Sequence, residues 1–172
     1  MQVTQKVNVH TFMSSELKKL NSKLHNIIIE HSNNEDMGAM MTSWYHDDKS
    51  FHEIVKVVRQ LIINANLYDT EGDQRIWELH LKDLWGQIYN EGAHQVSHHH
   101  NPHSWSFCYY VNTPKGSSPI VFEDGSEVIA EEGKIVFFPS WLYHSVPPNK
   151  CKDRSVVCGN FIYKIIEKKH VH

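Results

Sequence analysis

The chain has 172 residues, enough to bury a substantial core within one domain, and no composition break divides it. Hydrophobic residues make up 40% and charged residues 22%, and a formal charge of -3 argues against a chain built to bind nucleic acid or an anionic membrane. The one departure from ordinary usage is the 14 histidines, which make the net charge sensitive to pH between about 5 and 8.

Residues 1–12 are short and mixed, with Val3, Val7 and Val9 consistent with an edge strand. Ser14 and Ser15 are candidate N-caps for a helix whose apolar stripe is Leu17, Leu20, Leu24, Ile27 and Ile28. Asn33-Asn34-Glu35-Asp36 is expected to end it, and a Met-rich connection (Met37, Met40, Met41) leads to Trp44. Ser50-x-x-Glu53 has the pattern of a capping box opening a second helix, with Phe51, Ile54, Val55, Val58, Leu61, Ile62 and Ala65 on its apolar face. Both helices read as packing elements.

From Ile76 the period changes to two: Trp77, Leu79 and Leu81 alternate with Glu78, His80 and Lys82, and Leu84 to Tyr89 continues as a second strand-like run. Short apolar runs then alternate with turn signals. They are Ser106–Asn112, Ile120–Phe122, Val128–Ala130, Ile135–Phe138, Trp141–Val146 and Arg154–Ile166. Six to eight short strands after two helices predict a mainly β fold. The expectation is a single domain over 1–172, in which 1–70 forms a helical support region and 76–166 a double-stranded β-helix (jelly-roll) barrel.

Cys108, Cys151 and Cys158 form no CxxC pair and no disulfide-framework spacing, so reduced thiols and a cytoplasmic setting are expected and a zinc ribbon is excluded. Met1 to Phe12 lacks an apolar signal core, and no apolar run approaches the roughly 18 residues of a membrane span.

Two stretches carry chemistry. In Ser97-His98-His99-His100-Asn101-Pro102-His103, an extended backbone would send His98 and His100 to one face and His99 to the other. Their Cα atoms would then lie about 6.5–7 Å apart, a span two imidazoles can close onto one metal ion. Downstream, His144 and Arg154 flank Pro147-Pro148-Asn149-Lys150. An antiparallel hairpin centred near Asn149 would set them opposite each other, with Cβ atoms about 4.5–5.5 Å apart. A cation beside a metal-binding histidine calls for an anion between them, and a carboxylate held by the guanidinium satisfies both.

Two early-strand histidines, a late-strand histidine and an arginine ten residues on resemble the Fe(II)/2-oxoglutarate-dependent oxygenases, over roughly Trp85 to Asn160. Tyr109-Tyr110-Val111-Asn112 resembles the Tyr-Tyr-Leu-Asn strand of their prolyl hydroxylases, which implies that Tyr110 bonds the distal carboxylate of 2-oxoglutarate; Ser106 shares its strand face. Gly133 to Val146, with Phe138-Pro139-Ser140-Trp141-Leu142-Tyr143-His144, resembles the FPSWLxH segment of a bacterial and phage subgroup that also carries His-x-His on its early strand. The resemblance implies Fe(II), 2-oxoglutarate and O2, with His98, His100 and His144 as metal ligands and Arg154, Tyr110 and Ser106 toward the cosubstrate. The product would be a hydroxylated protein or small molecule. Trp105, Trp141 and Tyr143 are candidate walls.

The chain departs from that family's pattern twice. The usual facial triad is two histidines and a carboxylate, yet neither position 100 nor position 102 is acidic, so either His100 is the third ligand or a displaced acid such as Glu91 swings in. The hydroxyl residue usual two positions after the arginine is Val156 here, leaving Ser155 or Tyr110 to replace it. Three neutral imidazoles also suit catalytic zinc. A zinc hydrolase, a three-histidine cupin-type dioxygenase and a non-catalytic metal- or carboxylate-binding barrel are therefore the competing expectations.

Overall fold

The computed structural model describes residues 7–36, 38–65 and 76–166; Val3 and Met37 lie outside them. The N-terminal part supplies β1 (His10–Met13), α1 (Ser15–Lys18), α2 (Asn21–His31), β2 (Asn34–Asp36), β3 (Ala39–Met41) and α3 (Lys49–Asn64). The rest supplies β4 (Ile76–Tyr89), β5 (Gln95–His98), β6 (Trp105–Asn112), β7 (Ile120–Phe122), β8 (Glu127–Val128), β9 (Lys134–Pro139), β10 (His144–Val146) and β11 (Arg154–Ile166). They form two antiparallel sheets, one of seven strands in the order β1-β9-β6-β11-β4-β3-β2, the other of four in the order β5-β10-β7-β8. This is the expected double-sheet jelly roll.

The middle strands of the larger sheet are buried on both faces, and period-two alternation sorts their side chains. Along β6, Phe107, Tyr109 and Val111 point to one core, where Leu24, Ile28, Phe51, Ile54, Val58 and Ile62 of α2 and α3 meet the sheet. Cys108 and Tyr110 point the other way, into the layer between the sheets with Ile120, Phe122, Val136, Phe138, Val146 and Val156. Gly86 lets α2 approach: a Cβ built there would lie 2.6 Å from Ile28 Cγ1. None of the described helices is long and apolar enough to cross a membrane.

Several expectations are corrected. The first helix is broken into α1 and α2 around Lys19 and Leu20, although Ser14 does cap it by accepting from Leu17 N. The second helix is capped by Asp48, whose side chain accepts from Ser50 N, so the Ser50 capping box is not used. Asn34–Asp36 and Ala39–Met41 pair with each other, and the latter with β4, so the helical support region also contributes strands to the large sheet.

The largest correction concerns the hairpin between His144 and Arg154. β10 pairs with β5 and β7, whereas β11 pairs with β4 and β6, so the two residues belong to different sheets. Pro147 and Pro148 have no N–H to donate to a ladder. Asn149 then fastens the crossing chain: its N–H donates to Ala93 O at 2.9 Å, and its Nδ2 donates to Tyr89 O at 3.1 Å and Cys151 O at 2.8 Å.

Candidate metal centre

β5 and β10 lie side by side with His98 directly opposite His144. The strand ends at His98, and the chain turns so that His100 comes back over the same face. One ring nitrogen from each of His98, His100 and His144 lies within 4.8 Å of the others, and ring centroids are 4.4 Å apart for His98–His144, 5.0 Å for His98–His100 and 5.1 Å for His100–His144. His99 leaves this group, its ring meeting Tyr143 edge-on at 4.7 Å.

The hydrogen bonds assign two tautomers. His98 Nδ1 donates to Val96 O at 2.8 Å and His144 Nδ1 donates to Leu142 O at 2.9 Å, since a carbonyl can only accept. Both Nε2 lone pairs are thereby left for a metal, the arrangement that second-layer carbonyls impose on ligating histidines. Burial, reinforced by the His144 and His98 rings, pushes the His100 imidazole down to about 3. Burial likewise pushes His144 down to about 4, against the opposing effect of its bond to Leu142. Both rings are therefore neutral near pH 7, as metal ligands must be.

A cavity of about 320 Å³ runs from these histidines between the sheets to Arg154. Arg154 is 1% exposed, directly opposite Tyr89 in the β11–β4 ladder. Its Nε donates to Ser118 O at 3.2 Å, but its Nη1 is buried without a partner. Leaving a buried charged donor unmatched is costly. Among the described residues Arg154 is the only Lys or Arg in the cavity wall, so an anionic ligand group fits there.

The remaining candidates distribute unevenly. Tyr110 lies behind the guanidinium, ring centre 5.5 Å from Cζ; it is outside the described cavity wall and its hydroxyl donates to Val128 O at 3.4 Å. The tyrosine that does line the cavity is Tyr89, with its ring centre 4.5 Å from Cζ. Ser106 lines the cavity, but its hydroxyl bonds Asn160 Oδ1 and Ser140 Oγ, each at 2.8 Å. Ser155 turns to the helices, 2.8 Å from His25 Nδ1, and so does not replace the hydroxyl missing at Val156. Glu91 is exposed in a turn and does not line the cavity; the one carboxylate in the described wall is Asp36, which accepts from Gln95 Nε2 at 3.0 Å.

The aromatic walls are Trp44 and Trp85, with ring centroids 4.9 Å apart, rather than Trp105, Trp141 or Tyr143. Sequence reasoning missed Trp85, Gln87 and Tyr89. Their period of two along β4 placed them on one face, but nothing in the sequence said which face was the cavity.

The chain is similar in fold to solved oxygenase structures. It superposes on a viral collagen prolyl hydroxylase from Paramecium bursaria Chlorella virus-1, in complex with 2-oxoglutarate, with a TM-score of 0.70 and 13% identity over 89% of this chain and 94% of that one. The fold is that of the 2-oxoglutarate/Fe(II) oxygenases. A Pseudomonas putida prolyl-4-hydroxylase gives a TM-score of 0.69 at 17% identity, covering 91% and 92% of the two chains. A Trichoplax adhaerens prolyl hydroxylase bound to a hypoxia-inducible-factor peptide gives 0.61 at 12% identity, covering 89% and 83%. At these identities the likeness is one of fold. No protein-family model and no curated protein matches the sequence.

Proposed function

We propose that this chain is an Fe(II)- and 2-oxoglutarate-dependent dioxygenase that hydroxylates a protein or small-molecule substrate. The observation that carries the reading is the pairing, in one cavity, of three converging imidazoles with a buried guanidinium whose Nη1 has no partner. His98, His100 and His144 would hold the metal. When bound, Fe(II) with 2-oxoglutarate and O2 supplies oxidative decarboxylation of the cosubstrate coupled to hydroxylation of a C–H bond.

The protein's own part is binding and orientation. Arg154 Nη1 would take up the distal carboxylate, with Val156 and Ile120 as apolar wall beside it and Tyr89 close by. A carboxylate there satisfies a charge that protein alone leaves unmatched. Trp44 and Trp85 line the same cavity, Trp85 with its ring 6.0 Å from that of His100, and would wall a substrate; the peptide held by the Trichoplax neighbour makes peptides the first substrates to test.

The all-histidine set sustains a second reading, because three histidines are also a catalytic zinc set. The separating experiment loads metal-free protein with Fe(II) or Zn(II) and measures succinate released from 2-oxoglutarate, with and without O2 and candidate peptides. Succinate that requires Fe(II) and O2, and is lost in Arg154→Met, supports the dioxygenase. Zinc-dependent hydrolysis indifferent to 2-oxoglutarate and O2 would replace it.

A further inference from the structure

His98 and His144 are each oriented through Nδ1, but His100 is not: among the described residues neither of its ring nitrogens has a carbonyl or carboxylate partner. It is held through its main chain instead. Its N–H donates to Ser140 O at 2.7 Å, and its carbonyl accepts from His103 N at 3.0 Å and from His103 Nδ1 at 2.6 Å.

From those two anchors the hydrogen bonds run into the protein and meet. His103 Nε2 lies 3.0 Å from Asp83 Oδ2 on β4. The same oxygen accepts from Asn160 Nδ2 on β11 at 2.9 Å. Asn160 Oδ1 accepts from Ser106 Oγ on β6 at 2.8 Å, and Ser106 Oγ is 2.8 Å from Ser140 Oγ. Ser140 is the residue whose carbonyl receives the His100 N–H, so the circuit closes. Ser140, Asn160 and Ser106 are 0%, 1% and 2% exposed, so these bonds have little competition from water. Every donor in the chain from Asn160 to Ser140 has one acceptor, and no link can turn away without leaving a buried polar atom unmatched.

We propose that Asp83, His103 and Asn160 are positioning residues that hold His100 in the metal-binding set through this closed ring of hydrogen bonds. The proposal rests on the metal-site reading above. The ring does for the third histidine what a single carbonyl does for each of the other two. It also brings the turn after β5, β4, β6, β11 and the turn after β9 to bear on one ligand.

The test is titration of metal-free protein with Co(II), whose visible absorption reports coordination, for wild type, His103→Gln, Asp83→Asn and Asn160→Ala, each also made in a His100→Ala background. Wild type should bind one Co(II), and each variant should bind about 10- to 100-fold more weakly, the usual cost of removing an outer partner. In the His100→Ala background the same substitutions should cost nothing further, because the ligand they serve is gone. Affinity equal to wild type, or the same factor lost in both backgrounds, overturns the proposal; the second result marks a structural role only. If Asp83→Asn fails to fold, the milder Ser106→Ala breaks the same circuit and is scored identically. Failure of wild type to bind Co(II) at all overturns the metal site itself, and is distinguishable from failure of the ring alone.

Discussion

Arg154 and Tyr89 face each other across the β11–β4 ladder, with the guanidinium carbon 4.5 Å from the centre of the phenol ring. Both residues line the cavity, and Arg154 Nη1 is buried there without a partner. Replacing Arg154 by Met removes that donor. Affinity for 2-oxoglutarate, measured by calorimetry on the metal-loaded protein without oxygen, should fall about 10- to 100-fold. The ligand-free protein should be as stable as wild type or more so, because an unpaired buried charge is exchanged for an apolar side chain of similar length. A large loss of stability with unchanged affinity would show that the guanidinium is structural.

The tyrosine beside that arginine can be identified by comparing two phenylalanine variants. Tyr89 lines the cavity and its hydroxyl donates at 3.0 Å to Gln87 Oε1, itself in the cavity wall, whereas Tyr110 donates to Val128 O and lies outside that wall. Tyr89→Phe should raise KM for 2-oxoglutarate by about 2- to 10-fold, the worth of one hydrogen bond. Tyr110→Phe should leave it within about 2-fold. The opposite ranking would return the carboxylate role to Tyr110.

The stability of the metal-free protein should depend on acidity in a defined direction. His100 and His144 are pushed down to about 3 and about 4 by burial, below the 6.5 of an unfolded histidine. Between about pH 4 and 6.5 the unfolded chain therefore binds more protons than the folded one, and stability rises with pH. Each group contributes a slope of up to about 1.4 kcal/mol for each pH unit in that window. Above about pH 6.5 this dependence should vanish. Denaturant melts at pH 4.5, 5.5 and 7 should show the slope, and His144→Gln should reduce it, leaving the contribution of His100. An unchanged slope would mean that these rings are not protected from protonation.

Gly86 sets the distance between helix and sheet. In Gly86→Ala the new methyl would sit 2.6 Å from Ile28 Cγ1 and 3.2 Å from Phe51 Cζ. Overpacking of this kind costs about 1–3 kcal/mol. Adding Ile28→Val should recover part of it, as read from the midpoints of urea unfolding. Equal midpoints for Gly86→Ala and wild type would mean that α2 moves away freely.

Much of the fold could be read from side-chain period. Alternation marked the first part of β4, and near-continuous apolar runs marked β6 and β9, because one face of these strands packs on helices and the other on the second sheet. Ser14 announced its cap because a serine before an apolar stripe has one favoured use. β2 and β3 were invisible: Asn34-Glu35-Asp36 and Ala39-Met40-Met41 lack strand-forming residues, and only pairing at the sheet edge makes them strands. At the site, His98, His100 and His144 were legible from spacing, and they do converge. His144 and Arg154 do share a cavity, but through a route that symmetry about Asn149 did not foresee, because Pro147-Pro148 carries the chain from one sheet to the other. Tyr89, Trp85, Asp83 and Asn160 gave no local signal; their importance comes from partners distant along the chain, as Asp83 is from Asn160, or from the face on which they land.

The three histidines belong to the small sheet and the turn that leaves it, while Arg154 belongs to the large one. A diacid gripped at both ends would act as a strut across the sandwich, resisting separation of its two halves. Amide exchange in β10 and the first residues of β11 should then slow together when metal and 2-oxoglutarate are both present, and return to the ligand-free rate when the diacid is removed.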